Sequence, residues 1–141
     1  MINISVKKTS KEQEEVLINA ATFYLDKLNI RKRTIPLDIE ITLCKLDADG
    51  YCDFNYDHKY PEIAIHLNKR LSEKDMLVAL AHELVHSRQY LRKELISKDR
   101  VFLWKGKTSK NYEWEDEAYD LESQLYERYE NECKYKHWHK F

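Results

Sequence analysis

The spacing of apolar residues predicts two long helices near the ends of the chain. The first covers residues 11–31, where Ser10 can act as N-cap and Gln13 can complete a capping box. The second runs from about Trp114 to Tyr135. In both, apolar side chains recur every three or four positions and therefore share one face. These faces contain Leu17, Ala20, Ala21, Tyr24 and Leu28 in the first helix, and Ala118, Leu121, Leu125 and Tyr129 in the last.

A third helix is predicted in the middle of the chain. It opens at Ser72, with Asp75 in the capping-box position, and runs to about Leu95. One face is apolar, and the opposite face is mixed. The apolar face contains Leu77, Leu80, Ala81, Leu84, Leu91 and Leu95, and the mixed face Ala79, His82, His86, Gln89 and Lys93.

Alternation of apolar and polar residues predicts strands between the helices. Residues 37–46 are predicted to form a strand, with apolar residues at alternate positions from Leu37 to Leu43. Asp47–Gly50 has turn composition, and Tyr51–Tyr56 is expected to return as the second strand of a hairpin. Residues 62–68 alternate again. Two short strands are expected at Arg100–Trp104 and Lys107–Tyr112, on either side of Gly106.

These elements predict a single α+β domain over residues 1–141, with a small antiparallel or mixed sheet packed on three helices. The chain is 43% hydrophobic and 35% charged, which is typical of a globular domain. Its 24 basic and 25 acidic residues give a net charge of −1, which argues against nucleic acid or an anionic membrane as the main partner. No stretch reaches transmembrane length and no leader is evident, so we expect a soluble cytoplasmic protein.

Two further patterns are expected to be structural. The chain has three cysteines, Cys44, Cys52 and Cys133, and no two of them have a C-x-x-C spacing. They are therefore interpreted as reduced, packed thiols. The string Asp47–Gly50 resembles part of a calcium loop. However, the first EF-hand position would be Lys45 and the closing Glu is missing, so a turn is favoured.

The central helix contains the sequence His82-Glu83-Leu84-Val85-His86, an HExxH motif. Residues four apart on a helix lie on the same face, so the two imidazoles can bind one zinc ion. Glu83 lies one position round from His82, where a carboxylate can take a proton from metal-bound water. The motif therefore predicts two zinc ligands, His82 and His86, and a catalytic base, Glu83.

A catalytic zinc needs a third protein ligand, and the acidic start of the last helix is the obvious source. Glu117 lies beside Leu121 at the margin of the apolar stripe and is the expected ligand, with Glu113 as second choice. Glu115 and Asp116 diverge from that direction. Asp120 is placed to accept the outer N–H of a ligand imidazole. His58, His66, His137 and His139 are expected to be surface or satisfied histidines rather than ligands.

The chain here resembles a known group of enzymes. The segments from Leu80 to Tyr90, Trp104 to Lys107 and Trp114 to Tyr119 are similar to those of compact SprT-like and phage-type metallopeptidases, which are small zincins of the gluzincin type. The resemblance covers about residues 61–125. It implies a zincin-like fold with HExxH on the central helix, and it also implies that the Glu before Ala118, Glu117, is the third ligand. The chain departs from the phage-type pattern in having Tyr112-Glu113, rather than Pro, before Trp114.

The motif and the resemblance together predict a zinc metallopeptidase that hydrolyses a peptide or protein substrate. Glu83 would deliver the proton to the leaving amine, and Tyr90, Tyr112 and Tyr119 are candidates for stabilising the oxyanion. The strand at residues 62–68 could offer the sheet edge on which a peptide pairs. Two alternatives stay open, a zincin-fold binding or regulatory module with a structural metal and a metal-dependent hydrolase of something other than peptide.

Overall fold

A computed structural model of the chain describes residues 2–30, 36–55, 60–99, 101–109 and 111–133. It has an α+β architecture with two small sheets and three helices. The helices are α1 (Lys11–Lys27), α2 (Glu73–Leu91) and α3 (Glu113–Glu132). The strands are β1 (Ile2–Lys7), β2 (Leu37–Cys44), β3 (Gly50–Asn55), β4 (Glu62–Asn68), β5 (Leu95–Lys98), β6 (Val101–Trp104) and β7 (Lys107–Thr108).

The larger sheet has the strand order β1-β2-β4-β3. The pairs β1–β2 and β2–β4 are parallel, whereas β3 is antiparallel to β4 and forms one edge. Because side chains alternate along a strand, one face of β2 and β4 is buried against the helices and the other remains largely polar. The buried face contributes Leu37, Ile39, Ile41, Leu43, Ile63, Ile65 and Leu67 to a core shared with α1, α2 and α3.

The pairing of the strands differs from the expected hairpin. β3 was expected to return along β2, but β4 lies between them and pairs with both. The strand β4 is therefore internal, so the expectation that residues 62–68 form an exposed edge is wrong. β1 was not predicted at all. Alternation marks a strand and its buried face but does not name its neighbour, and a parallel sheet needs long-range partners that no local pattern records.

The beginnings of α1 and α2 agree with the sequence. Ser10 and Gln13 form the expected reciprocal capping box, and the Ser72 hydroxyl accepts a hydrogen bond from the Asp75 amide. α2 ends at Leu91, earlier than expected. Lys93 has a left-handed backbone (φ 59°) and donates to Tyr90, while Glu94 donates to Gln89. These bonds close the helix with a non-glycine residue, so no glycine signals its end.

The smaller sheet follows α2 and has the order β5-β6-β7. The expected pair around Gly106 exists as β6 and β7, although Arg100 lies outside the described residues and β7 is shorter than predicted. β5 replaces the last turn expected for α2. Leu95 from β5 and Trp104 from β6 pack with Trp114 of α3 and with Tyr90 in a small cluster separate from the main core.

No described helix is long and apolar enough to span a membrane. α1 ends at Lys27 and α3 at Glu132, earlier than the predicted ends at residues 31 and 135. The predicted end of β3 at residue 56 lies outside the described residues, as do His58, His137 and His139. Cys44, Cys52 and Cys133 are free and partly buried, as expected.

Candidate metal centre and cleft

α2 carries the HExxH residues and is buried on almost every side. Its apolar face packs into the main core, and α3 and β3 cover the rest. His86 is 7% exposed and Glu83 is 5% exposed, and His82 is partly buried. Buried ionisable groups need partners because an unpaired charge in an apolar setting is costly. The three residues are therefore held by the core rather than displayed on a free surface.

The two histidines meet one carboxylate from α3. His82 Nε2 and His86 Nε2 are each 2.9 Å from Glu115 Oε1, and the two Nε2 atoms are 3.1 Å apart. These donor atoms all lie within 4.8 Å of one another, which is close enough to hold a metal ion together. Ligand atoms of a tetrahedral zinc ion are about 3.3 Å apart, so the cluster fits zinc after a small outward movement.

The expected third ligand, Glu117, does not join the histidines. Its Oε1 accepts a hydrogen bond from Gln89 Nε2 at 3.0 Å and is 3.8 Å from Arg88 Nη2. The second choice, Glu113, is exposed and accepts a hydrogen bond from the Ser109 hydroxyl. The structure therefore brings Glu115, which was expected to diverge, to the position assigned to Glu117.

The rotation of α3 explains this difference. Its core stripe contains Trp114, Ala118, Leu125 and Tyr129. At 100° per residue, Glu117 flanks this stripe on one side, together with Leu121, and Glu115 flanks it on the other. The HExxH motif lies on the Glu115 side. Local spacing does not separate the two sides, because Glu115, Tyr119 and Glu122 on one side and Glu113, Glu117 and Asp120 on the other share the same i, i+4, i+7 recurrence.

The outer nitrogens of the two imidazoles have different partners. His86 Nδ1 is 2.8 Å from Gln89 Oε1, and His82 Nδ1 is 3.8 Å from Glu122 Oε1. Asp120, which was expected to contact a ligand imidazole, is exposed. Gln89 and Glu122 are thus the residues at the positions that orient ligand histidines in metal sites.

The hydrogen bonds of Gln89 determine which nitrogen of His86 carries the proton. Gln89 Nε2 donates to the Trp114 carbonyl at 2.9 Å and to Glu117, so Gln89 Oε1 must be the atom that faces His86. An oxygen only accepts, so His86 Nδ1 donates. In neutral His86 the Nε2 lone pair then points at the Glu115 carboxylate. Two acceptors at 2.9 Å require a positive charge between them, either a second proton or a metal ion.

The pKa shifts of the metal-free site also indicate a positive charge between His86 and Glu115. Contacts with His82 and His86 lower the pKa of Glu115, so its carboxylate is ionised. Burial opposes the charged form of His86, but hydrogen bonds to Glu115 and Gln89 outweigh it and raise the His86 pKa. Burial raises the pKa of Glu83 to about 7, against the opposing influence of both histidines. In the metal-free cluster these shifts favour the ionised Glu115 carboxylate paired with protonated His86, and a bound cation would take the place of that proton.

The cluster lies in a cleft with a volume of about 500 Å³. Gly50 and its neighbours in the edge strand β3 line one wall. A Cβ at Gly50 would lie 2.8 Å from the His66 carbonyl oxygen and 3.5 Å from Glu83 Cγ, so glycine allows the strands and the base to approach closely. Residues lining the rest of the cleft include Asp49, Asp75, Tyr90, Phe102, Trp114, Tyr119 and Glu122.

Two of the three tyrosine candidates line the cleft. Tyr90 stacks on Phe54 with parallel rings 5.4 Å apart, and the Tyr119 ring lies 4.8 Å from that of His82. Tyr112 is 61% exposed and packs against Trp114. His66, expected to be a surface or satisfied histidine, lies on the far face of the sheet, stacked on Tyr51, and its buried Nδ1 has no hydrogen-bond partner among the described residues.

Comparison with known proteins gives no relative for this chain: no family model, curated protein or solved structure matches it. Its function must therefore be inferred from the chemistry of the site.

Proposed function

We propose that this protein is a zinc-dependent metallopeptidase in which His82, His86 and Glu115 hold the ion and Glu83 is the general base. The observation that carries the proposal is the convergence of two Nε2 atoms and one carboxylate oxygen in a cleft. A second carboxylate, that of Glu83, is buried, lines the same cleft and is not part of that cluster. The same proposal assigns the α+β fold to the zincin type.

Two imidazoles and one carboxylate form a donor set suited to zinc. Calcium and magnesium prefer oxygen ligands, whereas nitrogen donors favour zinc and related ions. Three protein ligands would leave a fourth position open, as in catalytic rather than structural zinc sites. A bound zinc ion would lower the pKa of a coordinated water and polarise the scissile carbonyl.

Glu83 is positioned to move the proton. It follows His82 directly on α2, and both residues line the cleft in which an attacking water would lie. It would accept a proton from that water and deliver it to the leaving amine nitrogen. A structural metal would not need a buried base, which favours an enzyme over a binding module.

The walls of the cleft favour a peptide substrate. β3 pairs with β4 on one side and has no second strand among the described residues, so its outer edge offers backbone donors and acceptors to an extended peptide. The cleft also contains the carboxylates of Asp49, Asp75 and Glu122, which would repel a phosphorylated or nucleic acid substrate.

Cleavage of an unfolded protein tests the proposal. Zinc-loaded wild-type protein should cleave reduced, carboxymethylated protein, and a chelator should stop the reaction. Glu83→Gln should retain zinc but lower the cleavage rate by about 10²–10⁴-fold, the usual contribution of a general base. Glu127→Gln, an exposed change on α3, is the matched control and should cleave like wild type.

Two results would contradict the proposal. If Glu83→Gln cleaves as fast as wild type, Glu83 is not the base. If the zinc-loaded wild type leaves every unfolded protein intact, the protein is a binding module that keeps its metal for structure.

A further inference from the structure

Gln89 is a buried polar side chain near the cleft, hydrogen-bonded through both its oxygen and its nitrogen. It is 0% exposed, and its amide makes three hydrogen bonds. Its oxygen accepts from His86 Nδ1 at 2.8 Å, and its nitrogen donates to the Trp114 carbonyl at 2.9 Å and to Glu117 at 3.0 Å. One side chain on α2 thus joins a histidine of the HExxH motif to the first turn of α3.

The two contacts of Gln89 on α3 lie on either side of Glu115 in sequence. Trp114 precedes Glu115 and Glu117 follows it by two positions. The first turn of α3 has no side-chain cap, because Tyr112 at its N-cap makes no such hydrogen bond. The clamp from Gln89 therefore fixes a turn whose own end is weakly held.

We propose that Gln89 is a positioning residue that prepares the site for its metal ion. It keeps the Nε2 lone pair of His86 free and directed at the ion, and it holds Glu115 against the two histidines. The inference rests on the proposed metal site and extends it, because it makes the affinity for zinc depend on a residue that does not touch the ion.

Glu117 acquires a specific role in this arrangement. Its carboxylate accepts from Gln89 and lies near Arg88, so it orients the amide and leaves only the oxygen of Gln89 to face His86. A carboxylate or an amide oxygen at position 117 can fill this role, since both accept a hydrogen bond. Glu117 therefore acts through Gln89 rather than as a ligand.

Zinc affinity and the protonation of His86 test the proposal without any measurement of cleavage. Gln89→Met keeps the length of the side chain and removes all three hydrogen bonds. It should weaken zinc binding by about 10–100-fold, the usual cost of losing an outer partner of a ligand histidine. In the zinc-free protein, at a pH high enough for His86 to be neutral, nitrogen NMR should show its proton on Nδ1 in wild type and shifted toward Nε2, which faces Glu115, in Gln89→Met.

Exchanging the amide of Gln89 and the carboxylate of Glu117 separates this role from simple packing. Gln89→Glu alone sets a carboxylate against the Glu117 carboxylate and the Trp114 carbonyl, so zinc affinity should fall. The double variant Gln89→Glu/Glu117→Gln restores one amide donor and one carboxylate acceptor, and it should recover at least about tenfold in affinity over the single variant. Urea unfolding of each zinc-free variant reports whether the fold is kept.

The outcomes are distinct. If Gln89→Met is folded, binds zinc like wild type and leaves His86 protonated at Nδ1, the role of Gln89 is refuted while the metallopeptidase proposal stands. If wild type binds no zinc, the proposed function fails, and the NMR signature still decides whether Gln89 sets the tautomer.

Discussion

α2 and the first turn of α3 supply the same cluster, but the protein fixes them in different ways. α2 is capped by Ser72 and surrounded by core residues, so the helix and its packing set the face from which its two histidines project. α3 begins at Tyr112 with a left-handed backbone and no side-chain cap. Its orientation depends on Trp114, Ala118 and the clamp from Gln89. A motif inside a core helix is therefore defined by local spacing, whereas its distant partner is defined by tertiary contacts.

The largest difference between the two sides of the α3 core stripe is expected when the carboxylate on each side is removed in a separate variant. Glu115→Gln should weaken zinc binding by more than about 100-fold, beyond the loss of an outer partner, because a charged ligand is lost. Glu117→Gln should change it by less than about threefold, because its amide oxygen still accepts from Gln89. Competition with a coloured chelator measures both constants.

Equal losses in these two variants would mean that α3 turns Glu117 toward the ion when zinc binds. The proposed rotation of the helix would then be wrong, although a zinc site would remain.

The effect of buried Glu83 on the free energy of unfolding gives a second test. Burial raises the pKa of Glu83 from its ordinary 4.5 to about 7. Between these values the folded, zinc-free protein holds a proton that the unfolded chain has released, so the free energy of unfolding should fall as pH rises through this range and level off above pH 7. Glu83→Gln removes this slope and should be more stable than wild type by ~3 kcal/mol at pH 8.

Urea unfolding in the presence of a chelator at pH 5 and pH 8 measures this effect. Comparing the two proteins cancels the other titrating groups to first order. If their stabilities differ by the same amount at both pH values, Glu83 is not held in a neutral, buried state.

The smallest test concerns the end of α2. Lys93 closes the helix at φ 59°, a conformation that glycine adopts without strain. Lys93→Gly should raise the free energy of unfolding by about 0.5–1 kcal/mol. The same change at exposed Lys74, in the first turn of α2, should lower it by about 1 kcal/mol because glycine weakens a helix. A loss of stability in Lys93→Gly would show that the lysine side chain outweighs the backbone strain.

The three helices, the buried faces of β2 and β4 and the N-caps of α1 and α2 followed from local patterns, because each depends on residues within one or two turns. The end of α2 did not, since the chain uses lysine where a glycine would have signalled a stop. β3 was recognised as a strand but paired with the wrong neighbour, and β1 was missed, because parallel pairing joins distant segments.

The residues of the candidate site also divide into those set by local spacing and one set by tertiary contacts. His82, Glu83 and His86 could be named from spacing alone, as a helix places them relative to one another. Glu115 could not, because Glu115 and Glu117 both flank the apolar stripe of α3 and the choice depends on which flank faces α2. Glu115, Tyr119 and Glu122 recur with i, i+4, i+7 spacing, but so do Glu113, Glu117 and Asp120, so spacing alone does not select the side.

The small cluster between the second sheet and α3 has a practical consequence. Both described tryptophans, Trp104 and Trp114, belong to it, with ring centroids 6.4 Å apart. Trp114 directly precedes Glu115, so the emission of this indole pair is sensitive to the entry of α3 rather than to the main core. In a Trp138→Phe variant, which removes the third tryptophan of the chain, intrinsic fluorescence therefore offers a label-free optical signal for local opening of the cleft, separate from the circular dichroism of the helices, which follows unfolding of the whole domain.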